Sequence, residues 1–221
     1  VEPSWLAELV AVMAADARLG MVASKFVTID GRRLDSTGEC YSIWGLPFPR
    51  GRDEEDLDAY DDALEIFGAS GGSTLYRAAM LRDVGLFDED FFAYFEDVDL
   101  SWRAQLKGWP ARLAPRAVAY HRIGATSGRM PGFTTHQTLK NLGWVVVKNV
   151  PAGLLPVIAP RGTTMLTPSS AVNAGWFPVP PKRLVTSSNV TIGTTAGDGW
   201  ISTRFIGGLA GRLLGIWAGR S

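Results

Sequence analysis

Apolar residues recur at helical spacing in several stretches of the chain. Behind Pro3, the residues Leu6, Leu9, Val10 and Met13 fall at i, i+3, i+4 and i+7 and form one stripe, which predicts a helix over about Ser4 to Asp16. Gly20 to Val27 is apolar and loosely alternating, so it reads as a strand that turns at Asp30-Gly31 and ends in a loop-like Ser36 to Gly38. Arg77 to Val84 reads as a short helix stopped by Gly85. An aromatic cluster, Phe91, Phe92, Tyr94 and Phe95, precedes a helix expected from Glu96 to about Lys107 with Gly108 as its stop. Arg112 to Tyr120 reads as a strand whose Pro115 marks an edge or a bulge and whose exit carries His121. Leu139, Leu142, Val146 and Val150 give Gln137 to Val150 an amphipathic helical pattern, and Phe205 to Trp217 repeats that pattern among Arg204, Arg212 and Arg220.

The stretches between these elements carry different signals. Residues 45 to 62 combine Pro47, Pro49, Gly45 and Gly51 with a run of acids, which predicts a mobile surface loop. From Pro160 to Thr203 the chain is rich in Thr, Ser, Gly and Pro, with little periodicity. Asn189-Val190-Thr191 matches a glycosylation acceptor by chance, because the amino terminus has no secretory pattern.

Composition narrows the class. With 221 residues, 46% of them hydrophobic and 20% charged, a packed core is expected. Lys plus Arg and Asp plus Glu are both 22, which leaves no global field for a polyanion and argues against nucleic acid. Acidic residues crowd Asp53 to Asp62 and Asp83 to Asp99, whereas Asp198 is the one acidic residue after Asp99. The basic second half could face an anionic surface, and Phe205 to Trp217 could lie on a membrane or pack on its own domain. Apolar runs fall short of the roughly 20 residues that span a bilayer. Cys40 is alone, so no intrachain disulfide forms and a reducing compartment is favoured.

Four segments stand in order at compatible spacing: Gly68-Ala69-Ser70-Gly71-Gly72-Ser73-Thr74-Leu75-Tyr76-Arg77, Val84-Gly85-Leu86-Phe87-Asp88-Glu89, Tyr94-Phe95-Glu96-Asp97-Val98-Asp99-Leu100-Ser101-Trp102-Arg103, and His121. This series resembles the acceptor-side half of family 2 glycosyltransferases of GT-A fold, in particular bacterial rhamnosyltransferases, and the resemblance covers roughly residues 1 to 150. It implies an α/β, partial GT-A (Rossmann-like) domain followed by amphipathic helices. The expected division is 1–130 for the acceptor-side part, 131–160 for an amphipathic helical segment, and 161–221 for a tail.

The resemblance also implies roles. Sugar transfer with inversion needs a base for the acceptor hydroxyl and a cation for the departing diphosphate. Asp97 falls on the family's base and Glu96 beside it is a partner in positioning or acceptor binding; two adjacent carboxylates raise each other's pKa. Read without the resemblance, the same pair is an amino-terminal helix cap. His121 matches a ligand of Mn²⁺ or Mg²⁺, against the plainer reading of a structural histidine. Gly71, Gly72 and Ser73 would let backbone amides approach the donor sugar or diphosphate, or else form a tight turn. Trp102 and Trp109 could stack on a sugar, although flanking leucines favour core packing. Arg103 is an i, i+4 partner of Asp99 or a substrate contact, and Arg129 could sit over phosphate.

The family's amino-terminal half, with its nucleotide pocket and Asp-x-Asp metal motif, is absent from this sequence, and Asp30-Gly31, Asp53 to Asp56 and Asp61-Asp62 stand in the wrong context to replace it. The expectation is therefore a fragment that is inactive alone. Its partners would be a nucleotide-sugar donor and a glycan or lipid-linked acceptor, in the cytoplasm or peripherally at the inner face of the cell membrane. The competing expectation is an inactive glycan-binding or assembly module derived from such an enzyme.

Overall fold

The computed structural model describes residues 1–155 other than 43, 44, 56 and 126, so the expected tail and its helix at Phe205 to Trp217 lie outside the described residues. In chain order the elements are α1 (Trp5–Ala15), β1 (Met21–Thr28), β2 (Leu34–Ser36), β3 (Glu39–Tyr41), β4 (Pro47–Pro49), β5 (Glu65–Ile66), β6 (Thr74–Tyr76), α2 (Ala78–Val84), α3 (Glu96–Leu106), β7 (Ala111–His121) and α4 (Phe133–Asn149). Three 3-10 turns intervene, at Glu89–Phe91, Ser127–Arg129 and Ala152–Leu154.

β1 is the spine of a mixed five-stranded sheet. It runs parallel to β7 from Met21 opposite Ala111 to Thr28 opposite His121. Its other edge is shared between β6, antiparallel over Met21–Ala23, and β2, antiparallel at Phe26 and Val27. β5 adds to the far side of β7, and β3 with β4 forms a separate antiparallel pair. The chain is α/β, as expected. β1 is buried from Met21 to Val27, which is what a strand covered on both faces requires.

Pro115 falls in a bulge. The β1–β7 register jumps from Ser24 opposite Ala114 to Lys25 opposite Val118, so Pro115, Arg116 and Ala117 stand out of the ladder. A residue with no N–H is tolerated where the ladder to β1 is already broken, and β5, which pairs at Ala111 and Arg112, does not reach it.

The core has three parts. Leu9 and Met13 of α1 pack with Leu19, Val22, Ala114 and Ala117 on one side of the sheet. Met21, Ala23, Ala69, Met80, Ala104 and Ala111 form a second cluster. Between α3 and α4 lie Phe91, Val98, Trp102, Val145 and Val150, with Tyr41. No described helix is long and apolar enough to cross a membrane.

Three local expectations are corrected. In α1, Leu6 and Val10 are exposed, and the packed stripe is Trp5, Leu9, Val12 and Met13. In α4 the buried positions are Gln137, Asn141, Val145 and Asn149, while Leu139 is exposed. Polar side chains can hold these positions because each finds a partner: Asn149 Nδ2 donates to Asp99 Oδ1 at 2.8 Å, and Asn141 binds three carbonyls. The acidic run at 45 to 62 is not simply a surface loop. It contains β4, and Arg50 within it is buried, donating to Thr37 O at 2.9 Å and lying 5.0 Å over the Tyr60 ring.

Candidate functional site

The site is organised around the amino terminus of α3. The chain enters it through three non-glycine residues in the left-handed region, Phe92 (φ 62°), Tyr94 (φ 66°) and Phe95 (φ 68°). Each such residue costs about 1–2 kcal/mol, so neighbours must hold the segment. Asn141 does so from α4: its Nδ2 donates to the carbonyls of Phe91 (2.9 Å), Ala93 (2.8 Å) and Tyr94 (2.6 Å). Lys140 Nζ adds a bond to Asp90 O at 3.0 Å.

This entry sets Glu96 and Asp97 in the first turn of α3. Asp97 Oδ2 accepts from Gly71 N at 2.9 Å and Oδ1 from Val98 N at 2.8 Å. Gly68 makes that approach possible. A β-carbon there would stand 2.4 Å from Ser101 Oγ, so only glycine lets the 68–73 loop lie against α3. The same glycine bridges to β3, with Glu39 N donating to Gly68 O at 2.9 Å, and this brings Glu39 to the group.

Three carboxyl groups with shifted affinities for protons result. Burial raises Asp97 above the usual carboxylate range, and its N–H bonds oppose the rise without cancelling it. Burial and then the charge of Asp97 raise Glu96, whose Oε2 is buried with no hydrogen-bond partner from another residue. Glu39 is pushed up to about 8, first by burial and then by Asp97, with Arg52 opposing. Burial likewise pushes up the Tyr76 phenol, with Asp97 contributing. Among the described residues no cation forms an ion pair with Asp97 or Glu96. A carboxylate so placed holds a proton more tightly than an ordinary one, which is the direction a general base requires.

His121 ends β7 at the margin of this group. Its Nδ1 lies 2.6 Å from Oδ2 of the buried Asp35, and Arg52 holds the other oxygen at 2.9 Å. A carboxylate can only accept, so Nδ1 carries the hydrogen and the lone pair is on Nε2. That is how a metal-ligating histidine is usually backed. His121 therefore fits as one ligand. Among the described residues, however, no group of three or more His, Cys, Asp or Glu side chains could hold an ion, so they do not supply the full set.

The structure brings together Gly71, Glu96 and Asp97 but revises other expectations. The Gly71 amide is spent on Asp97, and Ser73 is buried, with its hydroxyl 2.8 Å from Ser24 Oγ and 2.9 Å from Trp5 Nε1. Gly72 is exposed in the same turn. Trp102 is not a sugar platform: it is 1% exposed, edge-on to Tyr41 and Phe67. Trp109 donates to Asp83 Oδ2 at 2.9 Å. Arg103 is structural, its guanidinium shared among Asp99, Val84 O and Leu86 O. Arg129 is exposed in its 3-10 turn, and no hydrogen bond or ion pair among the described residues joins it to Glu96 or Asp97. Sequence reading missed Glu39, Asp35 and Arg52, which carry no periodic or motif signal, and Asn141, hidden in a helix judged by its apolar residues.

Over 62 residues, 28% of this chain, the sequence is 40% identical to N-acetylglucosaminyl-diphospho-decaprenol L-rhamnosyltransferase of Mycobacterium tuberculosis, in two strains. The match spans about a fifth of the length of those relatives, 20%. It shows a partial relationship to a glycosyltransferase. No family model matches the chain.

Proposed function

We propose that this chain is the acceptor-side portion of an inverting, nucleotide-sugar-dependent glycosyltransferase of GT-A type, with Asp97 as general base. The observation that carries the reading is the Asp97 carboxylate, fixed by two backbone N–H donors, unpaired with any cation among the described residues, and raised toward neutral pH by burial. The partial match to a rhamnosyltransferase supports glycosyl transfer as the reaction class, with rhamnose as donor sugar and a lipid-linked or growing envelope glycan as acceptor.

In this reading Asp97 removes the proton from an acceptor hydroxyl as that oxygen attacks the anomeric carbon. The new carbon–oxygen bond forms on the face opposite the bond that breaks to the nucleoside diphosphate, and the configuration inverts. Gly71 N–H and Val98 N–H hold the carboxylate in line with the acceptor. Glu96 accepts from a neighbouring hydroxyl. A Mn²⁺ or Mg²⁺ ion with His121 among its ligands would neutralise the leaving diphosphate.

The test is turnover with a panel of nucleotide sugars, a polyprenyl-diphospho-sugar acceptor and Mn²⁺ or Mg²⁺, on the 221-residue chain and on its complete reading frame. Asp97→Asn should remove turnover while donor binding persists. Unchanged turnover in that variant removes Asp97 from the role. Glycan binding with no turnover from either protein would favour a binding or assembly module.

A further inference from the structure

Beside Asp97 opens a cleft of about 380 Å³, lined by Gly71, Phe87, Asp88, Glu89, Phe92 and Glu96. Its volume falls within the roughly 300–1,000 Å³ typical of small-molecule sites. Two of its walls are aromatic and turned to solvent: Phe87 is 42% exposed and Phe92 78%. The backbone that carries the more open ring is fixed. Phe92 sits at φ 62°, and the Asn141 amide ties down the carbonyls on either side of it. The Phe133 ring stands perpendicular to Phe92 with centroids 6.2 Å apart, and Tyr76 perpendicular to Phe87 at 5.8 Å, so each ring has an aromatic neighbour that fixes its orientation.

The polar lining is anionic. Glu96 lines the cleft, and Glu89 is exposed; Asp88 is already engaged by Lys148. Carboxylates here repel a phosphate and accept from hydroxyls. An aromatic face beside hydroxyl-accepting carboxylates matches a pyranose ring, whose axial C–H face is apolar and whose rim donates hydrogen bonds. We propose that this cleft seats the pyranose ring of the acceptor, stacked on Phe92 and Phe87, with Glu96 receiving one of its hydroxyls and the next hydroxyl presented to Asp97. The assignment of the ring as acceptor rests on the transferase reading; the sugar-binding cleft itself does not.

The test separates the two. Methyl pyranosides of the gluco, N-acetylgluco and rhamno series are titrated into the 221-residue chain by saturation-transfer and amide-shift NMR, without any nucleotide sugar. At least one should bind at millimolar concentration, with transfer strongest at the protons of one ring face and shifts at Phe92 and Glu96. Phe92→Ala should weaken it about tenfold, Phe92→Trp should restore it, and Glu96→Gln should weaken it while the amide spectrum shows an intact fold. Absence of binding by every pyranoside, equal binding by Phe92→Leu and Phe92→Trp, or a response only to tetramethylammonium would overturn the cleft. Pyranoside binding without turnover under the assay above would instead overturn the transferase reading and leave the cleft standing.

Discussion

Asp97 and Asp99 lie two residues apart in the first turn of α3 and are treated in opposite ways. Asp99 is fully buried and surrounded by donors: Arg103 Nε at 2.9 Å, Asn149 Nδ2 at 2.8 Å and Lys148 Nζ at 3.1 Å. It joins α3 to α4 and has nothing left to offer. Asp97 faces the other way, toward the 68–73 loop, where it receives two backbone N–H bonds and its charge raises two further carboxyl groups, Glu39 and Glu96. Burying a charge without a counter-ion is expensive, and folded chains usually neutralise it as at Asp99. One helix turn thus carries a carboxylate spent on structure and one that the proposed function keeps for chemistry.

The sharpest way to break this contrast is to neutralise each in turn. Asp97→Asn should reduce turnover by about 10²–10⁴-fold, the usual worth of a general base, with little change in the urea midpoint. Asp99→Asn should do the reverse. It leaves Arg103 and Lys148 without their shared anion, and a loss of about 2–3 kcal/mol in unfolding free energy is expected, reduced from that of a wholly buried pair because both cations reach solvent. If Asp97→Asn destabilises more than Asp99→Asn, the division of labour is wrong.

A smaller effect should come from Asn141. Asn141→Ala removes the side-chain donor shared by the carbonyls of Phe91, Ala93 and Tyr94, of which Phe91 O keeps Gln137 Nε2, and should cost about 1–2 kcal/mol. It should also raise the acceptor KM more than it lowers kcat, since the aromatic lip moves first. Equal changes in both constants would indicate a disturbance of the base itself.

How much of this was legible in the sequence follows range. The start and stop of α3, the stop at Gly85 and the bulge at Pro115 are set by residues adjacent in the chain, and each stands where the pattern placed it. The pairing of Glu39 with Asp97 depends on a bridge through Gly68 between segments that carry no common signal, so nothing local could reveal it. The buried face of α4 was misread because apolarity was taken as the sign of burial, whereas its amides are buried to hold a strained loop elsewhere. Trp102 shows the converse: its leucine neighbours already pointed to the core, and the core is where it lies.

The smallest effect is the most specific to the site. Glu39 is held at about 8 against an ordinary 4.5, chiefly by burial and next by Asp97. Between those values the folded chain keeps a proton that the unfolded chain has released, so stability is greatest below about 4.5 and falls as pH rises toward 8. Glu39→Gln removes this dependence: the thermal midpoints of variant and wild type should converge near pH 5, and the variant should lead by a few degrees at pH 8. Below about 8 Glu39 is already neutral, so replacing it with an amide should change the stability profile and leave the rising limb of kcat/KM against pH where it is. A limb displaced to lower pH in the variant would mean that Glu39 is ionised while Asp97 titrates, and that the proton is not held on Glu39.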